Sequence, residues 1–309
     1  MIAVVLFALY SVVALALISK LERMPRNVRT VTSGALDRGY VRSILLIGTD
    51  SRDLTQERGR SDTIMLLTLN SATDEIGMNS FMRDAYVEIP GYGGDKLNAA
   101  YSYGGAELLM DTLESNYDVS VDDYICVSFT GFAGLIDAFG GVEITLTDAE
   151  AQEINNILRN EVNALMGADP EDDFLPGGGT YALDGKQALS YARIRYVGNA
   201  DFERTSRQRE VMTQLLNNAR SKAVTAVPEL MQEALPHLTT NMSVSQLYLL
   251  SLRAPFLLGY DMSQQQIPAD GTWSGANIGG QDVLQVDFPA NTQLLHDTVY
   301  SSTKTEEAK

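Results

Sequence analysis

The 309-residue sequence contains one cysteine, two histidines and one tryptophan. The lone thiol, Cys126, cannot close a disulfide within the chain or build a cysteine zinc site. In the run Tyr124-Ile125-Cys126-Val127-Ser128-Phe129 it reads as a small buried hydrophobe. His237 and His296 lie well apart, which disfavours Ser–His, Cys–His and histidine-rich metal chemistry. Any metal site must then be built from carboxylates, and its ion must be hard and oxygen-seeking. Positive charge is scarce as well: 23 Lys and Arg face 40 Asp and Glu, a net charge of −17. Such a chain is a poor partner for nucleic acid, which needs its phosphates neutralised, and a poor binder of anionic membrane surfaces. A local basic site inside it therefore stands out. There is no internal repeat, and Gly177-Gly178-Gly179 lacks the context of a Rossmann or P-loop turn. With 45% hydrophobic and 20% charged residues, the composition is that of a globular protein.

Charge is absent from residues 1–19, which are almost wholly apolar. About 20 such residues span a bilayer. A buried core helix would show a polar face, and a signal peptide a basic segment before a shorter apolar core. The run reads instead as a single transmembrane anchor at Met1–Ser19, followed by a juxtamembrane linker over residues 20–40. Lys20, Arg23, Arg26 and Arg29 follow the span, and by the positive-inside rule alone they place the rest of the chain in the cytoplasm.

The folded domain is expected over residues 41–300, with a frayed tail at 301–309. Ser43–Ile47, Thr63–Leu69, Tyr86–Ile89, Tyr124–Phe129 and Val142–Leu146 read as strands. Ala99–Asn116, Phe132–Phe139, Ala149–Met166 and Glu203–Ser221 read as helices, and Asp184 as the cap of a helix through Ala192. The short link from Asn70 to Ile76 predicts an antiparallel hairpin. After Pro228 the chain reads as helical and then mixed, with a Gly/Ser-rich loop near Gly271–Gly280. Alternation of strands and helices predicts an α/β domain with its sheet covered on both faces.

Asp50 and Arg52 follow the first strand, and Arg60 and Asp62 precede the second. A hairpin of these strands would bring both aspartates to one sheet edge, where ligands of α/β sheets commonly bind. Arg83-Asp84 precedes the third strand, and Asp95-Lys96 follows the Pro90-Gly91-Tyr92-Gly93-Gly94 loop. Arg193 and Arg195 share a side if their segment is extended. Arg204 and Gln208 share a helix face with Val211 and Leu215, with Asp201 one turn earlier. Singly, each charge reads as a surface ion pair. As a set they suit phosphate chemistry, because arginine forks match phosphate oxygens and paired aspartates hold Mg²⁺.

Ile47-Gly48-Thr49-Asp50-Ser51-Arg52, Arg60-Ser61-Asp62-Thr63, Arg83-Asp84, Tyr86-Val87-Glu88-Ile89-Pro90-Gly91 and Asp95-Lys96-Leu97-Asn98-Ala99-Ala100-Tyr101 resemble the opening motifs of the LytR–CpsA–Psr family. Arg193-Ile194-Arg195, Asp201-Phe202-Glu203-Arg204 and Arg207-Gln208 resemble its closing motifs. The matches run in order over residues 41–220; Met82 departs, standing where a proline is common. The resemblance implies a three-layer α/β/α sandwich around a central mixed sheet, binding a polyprenyl pyrophosphate in an apolar pocket. It implies a phosphotransferase that moves a glycopolymer phosphate from the lipid carrier to a peptidoglycan sugar hydroxyl. Asp50 and Asp62 match the Mg²⁺ carboxylates, with Mn²⁺ as an alternative ion. Arg83, Lys96, Arg193, Arg195 and Gln208 match the pyrophosphate-binding groups, and Asp201 and Arg204 the remaining charged pair. The implied partners are a polyprenyl-linked glycopolymer, peptidoglycan and the membrane. The family layout implies an extracellular catalytic domain, against the reading from the basic flank.

Rival readings remain open from the residues. The same site could use water and act as a polyprenyl-pyrophosphate hydrolase. A non-catalytic lipid-binding or regulatory envelope protein would need the arginines but not paired carboxylates. A DNA-binding regulator fits least, given the acidity of the chain.

Overall fold

The computed structural model describes residues 11, 14–16, 18–19, 21–23, 38–49, 59–195, 197, 200–221, 238–257 and 259–303. Most of the expected anchor, Asp50 and residues 304–309 of the tail lie outside the described residues, among which no helix is long and apolar enough to cross a membrane.

In chain order the elements begin with strands β1 (Val41–Thr49), β2 (Ser61–Asn70), β3 (Glu75–Phe81), β4 (Ala85–Ile89) and β5 (Gly93–Lys96). Helix α1 (Leu97–Tyr117), strand β6 (Asp123–Ser128), helix α2 (Phe129–Ala138) and strand β7 (Val142–Leu146) follow. Helix α3 (Asp148–Ile157) runs through a π-helical turn (Leu158–Val162) into α4 (Asn163–Met166). Next come β8 (Gly179–Leu183), α5 (Gly185–Tyr191), α6 (Ala200–Ser221) and α7 (Val244–Leu257). The chain closes with β9 (Asp261–Ile267), β10 (Trp273–Ile278), β11 (Gln281–Val286) and α8 (Phe288–Val299). These elements divide between two compact units. The helical unit takes Val127–Thr239 and Ser243–Leu252 with the N-terminal stretch to Glu22, and the sheet unit takes Arg23–Cys126, Thr240–Met242 and Arg253–Lys309.

The sheet unit is a mixed α/β structure. Its main strands run in the order β6-β1-β2-β3-β9. β1, β2 and β3 are antiparallel neighbours, and β9 pairs parallel with β3 from Asp261↔Glu75 to Ile267↔Phe81. A second sheet runs β10-β11-β4-β5, in which β11 pairs parallel with β4. Ile44, Leu45 and Ile47 of β1 and Ile64, Met65 and Leu66 of β2 are buried because strands in the middle of a sheet are covered on both faces. Leu45, Ile47, Ile64 and Leu66 share a core with Leu97, Leu109, Leu113 and Tyr117 of α1, and with Leu295 and Val299 of α8. The Tyr117 ring lies edge-on between Phe81 at 5.0 Å and Phe288 at 5.2 Å, contacts worth about 0.5–1.5 kcal/mol each beyond their buried area. The C-terminal end is tied in by side-chain bonds: Asn70 Nδ2 donates to the carbonyls of Val299 at 3.1 Å and Ser301 at 2.8 Å.

The helical unit packs α2, α3, α5 and α6 with the antiparallel pair β7–β8 around Ile136, Ile144, Ile154, Leu183, Leu189 and Val211. Two capping boxes start its helices. Thr147 and Glu150 cap α3, and Asp184 and Gln187 cap α5; such caps stabilise a helix by about 1 kcal/mol. Gly185 is required by packing, since a Cβ there would lie 2.1 Å from the Ala133 carbonyl oxygen of α2.

Most expected elements fall within a few residues of the observed ones. The Gly/Ser-rich loop near 271–280 is corrected: it is largely the hairpin β10–β11, turned by Gly279 and Gly280, both at positive φ. The expected Ala149–Met166 helix is interrupted by the π-helical turn. Strands β5 and β8 were not expected at all.

Candidate functional site

The charged motifs gather into two clusters, one in each unit. In the sheet unit, β1 and β2 pair so that Thr49 lies opposite Ser61, with a register irregularity between Gly48 and Thr49. Asp62 is therefore the second residue of β2, at the end of the hairpin where β1 stops. Asp50 follows Thr49 and lies outside the described residues. Arg83 Nη1 donates to Asp62 Oδ1 at 2.6 Å, and Arg83 Nε reaches Asp84 Oδ2 at 3.3 Å. Lys96 Nζ, at the end of β5, closes on Asp84 Oδ1 at 2.6 Å. Four residues from three separate motifs thus form one chain, Asp62–Arg83–Asp84–Lys96, whose side chains are each about one-fifth exposed, between 18% and 20%. The chain is fixed by β4: Tyr86 pairs with Lys96 across the β4–β5 ladder, and the Asn98 N–H donates to the Arg83 carbonyl. Met82 is buried, and its N–H is held by the Ile267 carbonyl of β9 at 2.8 Å. Burial raises the Asp84 carboxyl, but the Lys96 hydrogen bond and the charges of Arg83 and Lys96 outweigh it and hold Asp84 below its ordinary value.

In the helical unit, Arg193 does not sit in an extended segment. Its N–H bonds the Ser190 carbonyl and the Ile194 N–H bonds that of Tyr191, so Arg193 lies in the turn that closes α5. Ile194 is buried between the half-buried Arg193 and the exposed Arg195. The Arg193 guanidinium stands 4.4 Å over the Phe129 ring and is ion-paired with Glu161. Glu161 belongs to the π-helical turn, a feature frequent at functional sites.

Helix α6 supplies the rest. Arg204 is 3% exposed, and Val211 and Leu215 on its face are buried as expected. Gln208 is half-buried and donates to the Ala192 carbonyl at 3.4 Å. Asp201 lies in the first turn of α6. Arg207, 5% exposed, is clamped by Glu150 at 3.1 Å, Glu203 at 2.9 Å and the Val197 carbonyl at 3.2 Å. Glu150 serves both cap and clamp: Oε2 accepts the Thr147 N–H and hydroxyl while Oε1 accepts Arg207. Burial raises its carboxyl, but the bonds from Thr147 and the Arg207 charge outweigh that and lower it. Tyr191 donates to Glu210 at 2.6 Å, and burial together with that bond drives its phenol well up.

The sequence does not announce Glu161, Phe129 or Glu150 as partners of the arginines, because they lie more than 30 residues away. Only Glu203, one helical turn before Arg207, carries a local signal. Among the described residues no group of three or more His, Cys, Asp or Glu side chains could hold a metal ion. Asp62 alone of the expected ion-binding pair is described, and its Oδ1 accepts from Arg83.

The chain is similar to known proteins over most of its length. The chain is 34% identical over 260 residues to the polyisoprenyl-teichoic acid–peptidoglycan teichoic acid transferase TagU of Enterococcus faecalis, covering 82% of this chain and 79% of that protein. It is 30% identical over 259 residues to the regulatory protein MsrR of Staphylococcus aureus, covering 82% of this chain and 73% of that one. A solved structure of TagT bound to LI-WTA superposes with a TM-score of 0.70 at 26% identity, over 90% of this chain and 99% of that one. A sequence model of the family described as LytR_cpsA_psr matches residues 19–297, and the chain belongs to that LytR–CpsA–Psr family.

Proposed function

We propose that the protein is an envelope transferase that moves a glycopolymer phosphate from a polyprenyl-pyrophosphate carrier to a peptidoglycan sugar hydroxyl. The observation that carries this reading is the ion-paired chain Asp62–Arg83–Asp84–Lys96, which joins three distant motifs of the family into one half-buried polar cluster. The transferase name and peptidoglycan acceptor of the TagU relative support it. Arg83 and Lys96 in the sheet unit are the proposed pyrophosphate-binding groups there; Arg193, Arg195 and Gln208 take that role in the helical unit. Their guanidinium, ammonium and amide donors match phosphate oxygens. Asp50 and Asp62 are the proposed Mg²⁺ ligands, with Mn²⁺ as an alternative ion, and such an ion supplies charge neutralisation on the phosphate oxygens when bound.

In the proposed step the acceptor hydroxyl oxygen attacks the phosphorus attached to the glycan. The bond from that phosphorus to the pyrophosphate bridging oxygen breaks, and polyprenyl phosphate leaves. Asp201 orients the hydroxyl and takes its proton, and Arg204 stabilises the charge that develops. Anchoring through Met1–Ser19 with the folded part outside the membrane would put the site beside both substrates.

The test incubates the full chain in detergent with a synthetic polyprenyl-pyrophosphate glycan, peptidoglycan fragments and Mg²⁺, and reads products by mass spectrometry. Joining of glycan phosphate to peptidoglycan is expected, lost in Asp62→Ala and reduced about 100-fold in Arg193→Ala with the fold intact. Free glycan phosphate as the sole product would favour the hydrolase. The regulatory name of the MsrR relative favours a second reading, a lipid-binding regulator. Bound lipid without turnover would select it.

A further inference from the structure

Beside the ion-paired chain of the sheet unit lies a feature that the transfer reading leaves unused. In Gly91-Tyr92-Gly93 both glycines take positive φ, 81° and 87°, and each has open space where a side chain would stand. The turn, closed by the Tyr92 N–H on the Ile89 carbonyl, pushes Tyr92 out until it is 60% exposed. Tyr103 of α1, two residues before the break in that helix at Gly105, is 40% exposed and lies against it. The two rings are stacked, 4.8 Å apart and 14° from parallel. Two large aromatic rings presented flat at the surface expose apolar area that folding would ordinarily bury.

The rim of this platform is polar and ordered. Tyr103 donates its hydroxyl to Asp95 Oδ2 at 2.5 Å, and Asp95 Oδ1 accepts the Lys96 N–H at 2.8 Å and Gln281 Nε2 at 3.5 Å. The positive charge of Arg60 acts on both Asp95 and Tyr103. Asp95 is the chain neighbour of Lys96, whose ammonium ends the Asp62–Arg83–Asp84–Lys96 chain.

A flat ring face beside a fixed carboxylate and an amide is complementary to one class of ligand. A pyranose ring carries an apolar face of C–H groups, slightly positive, which suits the negative face of an aromatic ring. Its hydroxyls, set around the edge, need acceptors and donors such as Asp95 and Gln281. A lipid chain would gain nothing from that rim.

We propose that Tyr92 and Tyr103, with Asp95 and Gln281 at their edge, form a saccharide subsite that stacks one pyranose ring of a glycan. The inference rests on the transfer reading only for the source of that sugar, which is either the acceptor peptidoglycan or the carrier-linked glycan.

The test uses the full chain and its Tyr92→Ala, Tyr92→Phe and Gln281→Ala variants. Affinity is measured by calorimetry for three probes: a lipid-free peptidoglycan disaccharide fragment, a polyprenyl-pyrophosphate disaccharide, and bare polyprenyl phosphate. Tyr92→Ala should weaken binding of one or both sugar probes about fivefold, a loss in the range of one aromatic contact. Tyr92→Phe should restore the affinity, and Gln281→Ala should weaken it to a smaller extent. Loss on the fragment alone assigns the acceptor, and loss on the lipid-linked sugar alone assigns the donor. Unchanged affinity for both sugars in Tyr92→Ala, or an equal loss for bare polyprenyl phosphate, overturns the proposal. If the wild-type chain binds sugar through Tyr92 yet transfers nothing, the transfer reading fails and the subsite stands. Transfer that is undiminished in Tyr92→Ala at low acceptor and low donor leaves the transfer reading in place and removes the subsite.

Discussion

The two charged clusters are built on opposite plans. In the sheet unit, positive and negative side chains alternate, and each is about one-fifth exposed. In the helical unit, arginines of α6 are pulled almost fully out of water, and Arg207 is gripped by two carboxylates and a carbonyl. Water can replace a lost partner in the first arrangement. In the second, removing one partner strands a charge in a buried place, which is the costly case. The contrast separates Arg207, which holds the fold, from the sheet-unit cluster, whose groups can be spared for a ligand.

The sharpest way to break the comparison is Arg207→Ala. It strips the largely buried Glu150 of its guanidinium partner, while Glu203, 42% exposed, keeps water, and should lower stability by about 3 kcal/mol, seen as a large drop in melting temperature. A loss under about 1 kcal/mol would show that the clamp behaves like a surface pair. Asp84→Asn should cost less, about 1 kcal/mol, because its partners stay within reach of solvent. It also has a signature in acid. The unfolded carboxyl titrates near 3.9, and the folded one lies lower. The stabilisation is therefore complete above about pH 4 and is lost as pH falls through the folded value. Stability of the variant, followed by denaturant unfolding from pH 6 to pH 2, should lack that part of the acid slope. The smallest effect is expected for Glu161→Gln. Glu161 is more than half exposed, at 53%, so the melting temperature should hardly move. Glycan transfer should still fall several-fold, since Arg193 would keep its place over Phe129 but lose the carboxylate that orients it. A change in both readouts, or in neither, would remove Glu161 from the set of positioning residues.

Much of this arrangement was legible in the residues. Buried apolar runs marked β1, β2 and β6, Asp184 marked a capped helix, and the ordered Arg and Asp motifs named the side chains that cluster. What escaped has physical causes. Strand β5 is Gly93-Gly94-Asp95-Lys96, with no strand propensity of its own, and it exists because β4 offers a ladder. The hairpin β10–β11 is polar on its outer positions and hides in a Gly/Ser-rich stretch; Gly279-Gly280 was its one available signal. The π-helical turn has no sequence pattern, yet it carries Glu161 to Arg193. Partners brought together by tertiary packing leave no trace in local spacing.

The parallel pairing of β9 with β3 and of β11 with β4 has a consequence for synthesis of the chain. Both late strands belong to the last third of the sequence, and the whole stretch Val127–Thr239 of the helical unit is made between them and their partners. As the chain emerges, β3 and β4 must wait with one hydrogen-bonding edge unmet while the intervening unit forms. Open strand edges are templates for wrong pairing. A ribosome that stalls, or a stop codon before residue 261, would release a chain with its interior segment ready to fold and its first sheet still lacking its closing strands.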